Sequence, residues 1–312
     1  MLKNKPIIFI ILTYIISGIY SLLYFIFPYN MSSNKTISFL ITSFYMFIPL
    51  LSTFILQKFI YRESFKNIGF NFKWTWWYLF SIFIPIVLNF FAFFIAILLP
   101  DVTFSSDMSG MIERYQKLFK EEQLNLMKEQ IAKVPGIVFF IGMILQTIFF
   151  GITINTVFAF GEEAGWRGFL LYNLKEKGFY FTSLITGLIW GLWHLPVVIQ
   201  GHNYPEHKIA GVFMMILWTI LLSPFFTFIV YKTGTVISAA IMHGVLNASY
   251  GLSIVYLKGG NDLTVGLTGL SGMIALLISN VLLFIYMKYY DNGQKITDSN
   301  FIKDDVKLDK SI

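Results

Sequence analysis

Apolar residues run in blocks along this chain, with short polar stretches between them. Eight blocks are long enough to cross a bilayer as a helix, which takes about 20 apolar residues. They cover residues 6–27, 37–60, 76–99, 136–160, 180–200, 209–231, 235–256 and 266–288. No period-two alternation marks a barrel, and backbone polar groups in lipid must be satisfied within the segment, so helices are expected. Prolines 28, 100 and 135 punctuate block ends; Pro49, Pro85, Pro196 and Pro224 fall within or near blocks, where packed neighbours tolerate a kink. The pattern predicts an all-α fold, a polytopic integral membrane bundle of about eight transmembrane helices. It forms a single domain over residues 1–290, followed by a polar, Lys- and Asp-rich tail, 291–312, expected to be disordered.

The longest polar stretch, 101–135, has its own pattern. Met111, Tyr115, Leu118, Phe119, Leu126 and Met127 recur at helical spacing among charges. An amphipathic helix lying at the interface is expected, shielding the bundle or gating access to it.

Composition reinforces the membrane reading: 56% of the 312 residues are hydrophobic and 13% charged, against about 25% charged in a soluble domain. The absence of cysteine removes disulfides, zinc–thiolate sites and a thiol nucleophile. The net charge of +6 comes with no basic stretch bearing stacking aromatics, so no nucleic-acid partner is expected. The apolar run after Lys3 and Lys5 is too long for a cleaved leader and reads as a first transmembrane helix. Placing both termini in the cytoplasm puts fifteen of the 23 Lys and Arg inside and eight outside. That is the asymmetry of a multi-pass cell-membrane protein with cytoplasmic termini.

Charges inside the bilayer are costly, and those that persist are functional candidates. Few remain once the loops are set aside: Glu162, Glu163 and Arg167 after the fourth block, His194 in the fifth and His243 in the seventh. His202 and His207 fall in a polar loop and are expected to be solvated. Glu163 and Arg167, four apart, share a helix face and can pair, while Glu162 points about 100° away. His243 and Asn247 share a face, and Trp190 sits one turn before His194. A carboxylate, two imidazoles and an amide suit hydrolysis, with glutamate activating water and N–H donors stabilising an oxyanion. The bland alternative is that these groups only tie helices together. If the fourth helix stops at residue 160, Glu162 and His194 lie at different depths. A helix over about 148–172, with 136–147 as an interfacial segment, is therefore preferred.

Other membrane-protease chemistries lack their residues. No H-E-x-x-H is present, and no block contains an aspartate. Gly269-Leu270-Ser271-Gly272 hints at a serine nucleophile, but no histidine follows it, and such small residues usually serve close helix packing.

Glu162-Glu163-Ala164-Gly165-Trp166-Arg167 fits the E-E-x-x-x-R motif of the CAAX prenyl endopeptidase type II family, the CAAX proteases and bacteriocin-processing enzymes. Trp190-Gly191-Leu192-Trp193-His194 resembles its F-x-x-x-H motif, with Trp190 in place of Phe, and His243-Gly244-Val245-Leu246-Asn247 its H-x-x-x-N. The similarity covers about residues 136–256. It implies an intramembrane glutamate endopeptidase in which Glu162 and His194 activate water and His243 and Asn247 form the oxyanion hole. Glu163, Arg167 and Trp190 would support the site, with no metal or other cofactor. Its partner would be a peptide or protein substrate at the lipid bilayer. Three other readings stay open: a metal-dependent protease with Glu162, His194 and His243 as ligands, a non-catalytic adaptor or immunity protein, and a transporter. The substrate and the oligomeric state are not legible.

Overall fold

The computed structural model describes residues 4–27, 35–116 and 121–289. The polar tail from 291, Leu118 and Phe119 lie outside the described residues.

The protein is an all-α membrane bundle with one small strand pair. Among the described residues, five helices are long and apolar enough to cross a membrane: 40–61, 77–96, 136–177, 208–233 and 270–289. Two shorter apolar helices, Lys5–Ser21 (α1) and Phe179–Trp193 (α8), accompany them. The second block forms Lys35–Tyr45 (α2) and Ile48–Phe54 (α3), the latter extended by a π-helical stretch, Ile55–Tyr61. Pro49 sits in the first turn of α3, where its missing N–H costs no helical bond. Trp77–Ala96 (α4) follows.

The 101–135 stretch is not one helix. Val102–Phe104 (β1) comes first, then Ser109–Gln116 (α5) and Glu121–Lys133 (α6). β1 pairs antiparallel with Leu257–Gly259 (β2), with Phe104 opposite Leu257 and Val102 opposite Gly259. Arg114 donates to the Gly259 carbonyl and Lys258 pairs with Glu113 at 3.2 Å, tying α5 to the segment that follows the seventh block. That seventh block is also shorter than expected. The helix Val236–Ser249 (α11) ends in a 3₁₀ turn at Tyr250–Ser253, and the chain then enters β2.

The fourth block is the largest departure. One helix, α7, runs 42 residues from Gly136 to Lys177, so no break sets 136–147 apart. It contains two π-helical stretches, Gly151–Asn155 and Ala164–Leu170. α8 follows Gly178, whose φ of +90° favours glycine, and leads into Leu195–Ile199 (α9). Lys208–Thr233 (α10) ends at Gly234 (φ +71°), and Thr235 accepts from the Ile237 N–H at 3.2 Å to start α11. Leu270–Tyr289 (α12) closes the bundle.

Glycines allow close helix crossings at two places that frame the bundle. A Cβ on Gly151 would lie 2.7 Å from Val245 Cα, and one on Gly187 would lie 2.8 Å from Ile220 Cα. Small residues allow such approach in membranes, where dispersion contacts replace the hydrophobic drive. α7 is thereby seated on α11, and α8 on α10. Gly272 likewise packs against the Leu267 backbone, and Ser271 is fully buried with its hydroxyl on the Gly266 carbonyl at 3.2 Å.

Candidate active site

Three helices deliver the polar groups. α7 carries Glu162, Glu163 and Arg167 at the junction of an α and a π segment; α8 carries Trp190 and presents His194 at its end; α11 carries His243 and Asn247. π turns recur at functional sites because the extra residue re-aims side chains that a regular helix would fix. Glu162, Trp190, His194, His243 and Asn247 all line one cavity of about 360 Å³. Its other walls include Tyr45, Trp193, Trp218, Tyr250 and Thr268. Glu162 and His194 therefore face one cavity, and α7 continues well past residue 160.

Behind the cavity wall, Glu163 and Arg167 are completely buried. Arg167 Nη1 lies 3.2 Å from Glu163 Oε2, the pairing their spacing allows. Arg167 Nη2 donates to Ser223 Oγ at 2.9 Å, and Ser223 is within 3.1 Å of the Thr186 hydroxyl. The guanidinium also lies 4.4 Å from the ring centres of both Trp190 and Phe226. A buried ion needs partners of this kind, since its desolvation is otherwise unrecovered; Arg167 Nε is left without a hydrogen bond.

The hydrogen bonds fix how the histidines face. His194 Nδ1 lies 2.8 Å from the Trp190 carbonyl, which can only accept, so Nδ1 carries the proton. The neutral ring then leaves its lone pair on Nε2. His243 Nδ1 lies 2.8 Å from Glu163 Oε1 and donates to that carboxylate. The Glu163 carboxylate thus joins an arginine on its own helix to a histidine on α11. Trp190 Nε1 donates to Glu162 Oε2 at 2.7 Å, a bond the sequence did not announce. Trp193 is pinned by its indole donating to Ser17 Oγ at 2.7 Å and by Tyr45, stacked 4.4 Å away, whose hydroxyl donates to the Trp193 carbonyl at 2.9 Å. The residue before His194 is held on three sides.

His202 corrects the expectation of a solvated loop residue. It is half-buried and lines the same cavity, its backbone N–H donating to the Val197 carbonyl at 3.1 Å. Burial pushes its imidazole down to about 4. Nothing in its spacing marked it, because the loop is folded back by Gly201 and Asn203, both at positive φ. His207 stays partly exposed, 2.5 Å from Asp262.

Residues 144–249 match the Rce1-like type II CAAX prenyl endopeptidase family. The segment holds all three motifs read from the sequence. A CAAX prenyl protease 2 of Methanococcus maripaludis is 36% identical over 44 residues. That alignment covers 14% of this chain and 16% of the relative, so the chain spans about a sixth of the protein it matches. The Rce1-like segment contributes both sides of the cavity, α7 with its carboxylates and α11 with His243 and Asn247.

Proposed function

We propose that this chain is an intramembrane endopeptidase that hydrolyses a peptide bond in a membrane-associated peptide or protein. The observation that carries this reading is the convergence of Glu162, His194, His243 and Asn247, from three helices, on one cavity. The Nε2 lone pair of His194 accepts a hydrogen bond from the water, and Glu162 takes the water's other proton as the oxygen attacks the scissile carbonyl carbon. The carbonyl oxygen becomes an oxyanion, and Asn247 and His243 donate to it. To donate from Nε2 while Nδ1 donates to Glu163, the His243 ring carries both protons in this scheme, and Glu162 and Glu163 together balance the charges of His243 and Arg167. Collapse of the intermediate breaks the C–N bond, and the proton held by Glu162 passes to the leaving amine. Arg167 and Trp190 position the two carboxylates. No metal takes part in this scheme.

The name of the matched relative makes a prenylated C-terminal peptide one substrate to include. We place the protein in the cell membrane with both termini cytoplasmic, on the basis of the Lys and Arg distribution.

The test is cleavage of membrane-tethered fluorogenic peptides, prenylated and unprenylated, by purified protein in lipid. Wild type is compared with Glu162→Ala and His194→Ala, with and without chelator. Cleavage absent from both variants and indifferent to chelator is expected. Cleavage abolished by chelator and restored by zinc would replace this scheme with a metal-dependent one. Variants that keep the cellular phenotype of wild type would point to a non-catalytic adaptor.

A further inference from the structure

The segment leading into α4 turns large aromatic side chains outward. Phe72, Trp74 and Trp76 are 67%, 73% and 74% exposed. Indoles exposed in this way suit the headgroup level of a bilayer, where an apolar body and a polar N–H are both accommodated. With Leu79 of α4, Ile152 of the first π turn of α7 and Ile241 of α11, they line an apolar groove of about 370 Å³. Lys73, between Phe72 and Trp74, is exposed, and the chain leading to and from the groove is basic in sequence. Residues 57–78 and 231–241 contain Lys58, Arg62, Lys66, Lys73 and Lys232 against one acid, Glu63. Lys5 donates to both oxygens of that acid at 2.6 Å, so its charge is already balanced. The Lys232 ammonium lies 5.2 Å from the ring of Trp77, the neighbour of Trp76.

An apolar slot under an aromatic belt with a basic rim matches one chemistry. We propose that this groove binds a single anionic phospholipid, with one acyl chain along Leu79, Ile152 and Ile241 and the phosphate at the lysine-bearing rim. A zwitterionic lipid would fill the slot equally well but would gain little from the rim, whereas each lysine near an anionic headgroup favours it roughly fivefold. The site matters for the rest of the molecule because Ile152 and Ile241 stand on the two helices that carry Glu162 and His243. Ile241 is two residues before His243, and Gly151, beside Ile152, packs against Val245. A chain seated there braces the α7–α11 contact from its lipid side. This inference does not depend on the protease reading.

The test is native mass spectrometry of the full chain released from bilayers of equal phosphatidylglycerol and phosphatidylcholine. One phosphatidylglycerol retained per chain, roughly fivefold over phosphatidylcholine, is expected for wild type. Leu79→Trp fills the groove and Lys73→Glu reverses charge at the rim; each should bring the ratio close to one, with melting temperature confirming the fold. Equal retention of the two lipids by wild type would assign the groove to bulk lipid and overturn the proposal. A preference that survives Leu79→Trp would place the lipid outside the groove and overturn it as well, whatever Lys73→Glu does.

Discussion

The indole of Trp190 donates to Glu162 across 2.7 Å, so the aromatic position one turn before His194 also holds the carboxylate on α7. A phenylalanine there could pack but not donate. Trp190→Phe should therefore fold normally and lose cleavage by about tenfold, the scale of one hydrogen bond to a charged group. Turnover of the variant against its melting temperature checks this. A loss of more than a hundredfold would mean that the ring does more than hold Glu162.

The pair behind the site predicts an asymmetry. Arg167 and Glu163 are both at 0% exposure, so removing one partner leaves a buried charge uncompensated, at about 3–5 kcal/mol. Arg167→Met should lower stability on that scale. Adding Glu163→Gln to it should recover part of the loss, although His243 then loses its acceptor and activity stays low. A double-mutant cycle in unfolding measures the coupling. Strictly additive losses would contradict it.

Glycine positions offer a geometric test. A Cβ on Gly244 would sit 2.6 Å from Thr156 N, whereas one on Gly142 would meet nothing within 4 Å. Gly244→Ala should cost about 1–3 kcal/mol through forced separation of α7 and α11. It should also reduce cleavage, because His243 is the adjacent residue. Gly142→Ala should leave both unchanged. Thermal unfolding and turnover of the two variants decide it.

His202 supplies a pH dependence. Its imidazole is held at about 4 by burial, against roughly 6.5 in an unfolded chain. Between those values the unfolded state binds the extra proton, so stability falls as pH drops from about 6.5 towards 4 and levels off below. His202→Asn should flatten that part of the curve. An unchanged slope in melting temperature against pH would show that the loop opens and solvates the ring.

The helical membrane character was plain in the sequence because apolar blocks of span length have few other uses. The groups at the site were legible for a related reason: charge is rare in lipid, so Glu162, Glu163, Arg167, His194 and His243 stand out against their surroundings. What eluded the reading depends on contacts distant in the chain. Residues 102–104 and 257–259 are too short and too far apart to announce their pairing. His202 reaches the cavity through a loop conformation rather than a helical period. The expected helix over about 148–172 already runs through Glu162 and Arg167; what the apolar pattern does not reveal is that the same helix begins at Gly136, since nothing in 136–147 distinguishes an interfacial segment from a continuous one.

The two π turns of α7 bear on how this gene can change. Each π turn holds about one residue more than the α-turn it replaces. Deleting a single codon between 164 and 170 would let that stretch relax into regular helix, with the two flanking halves keeping their register but the side chains inside the stretch re-aimed. Arg167 would then swing away from Ser223 and the rings that enclose it, with little change in composition or hydropathy. In most surface loops such a deletion would pass unnoticed. Here the surplus residue is what aims the side chains of the stretch, Arg167 among them, so indels in it should be selected against as strongly as the loss of a carboxylate.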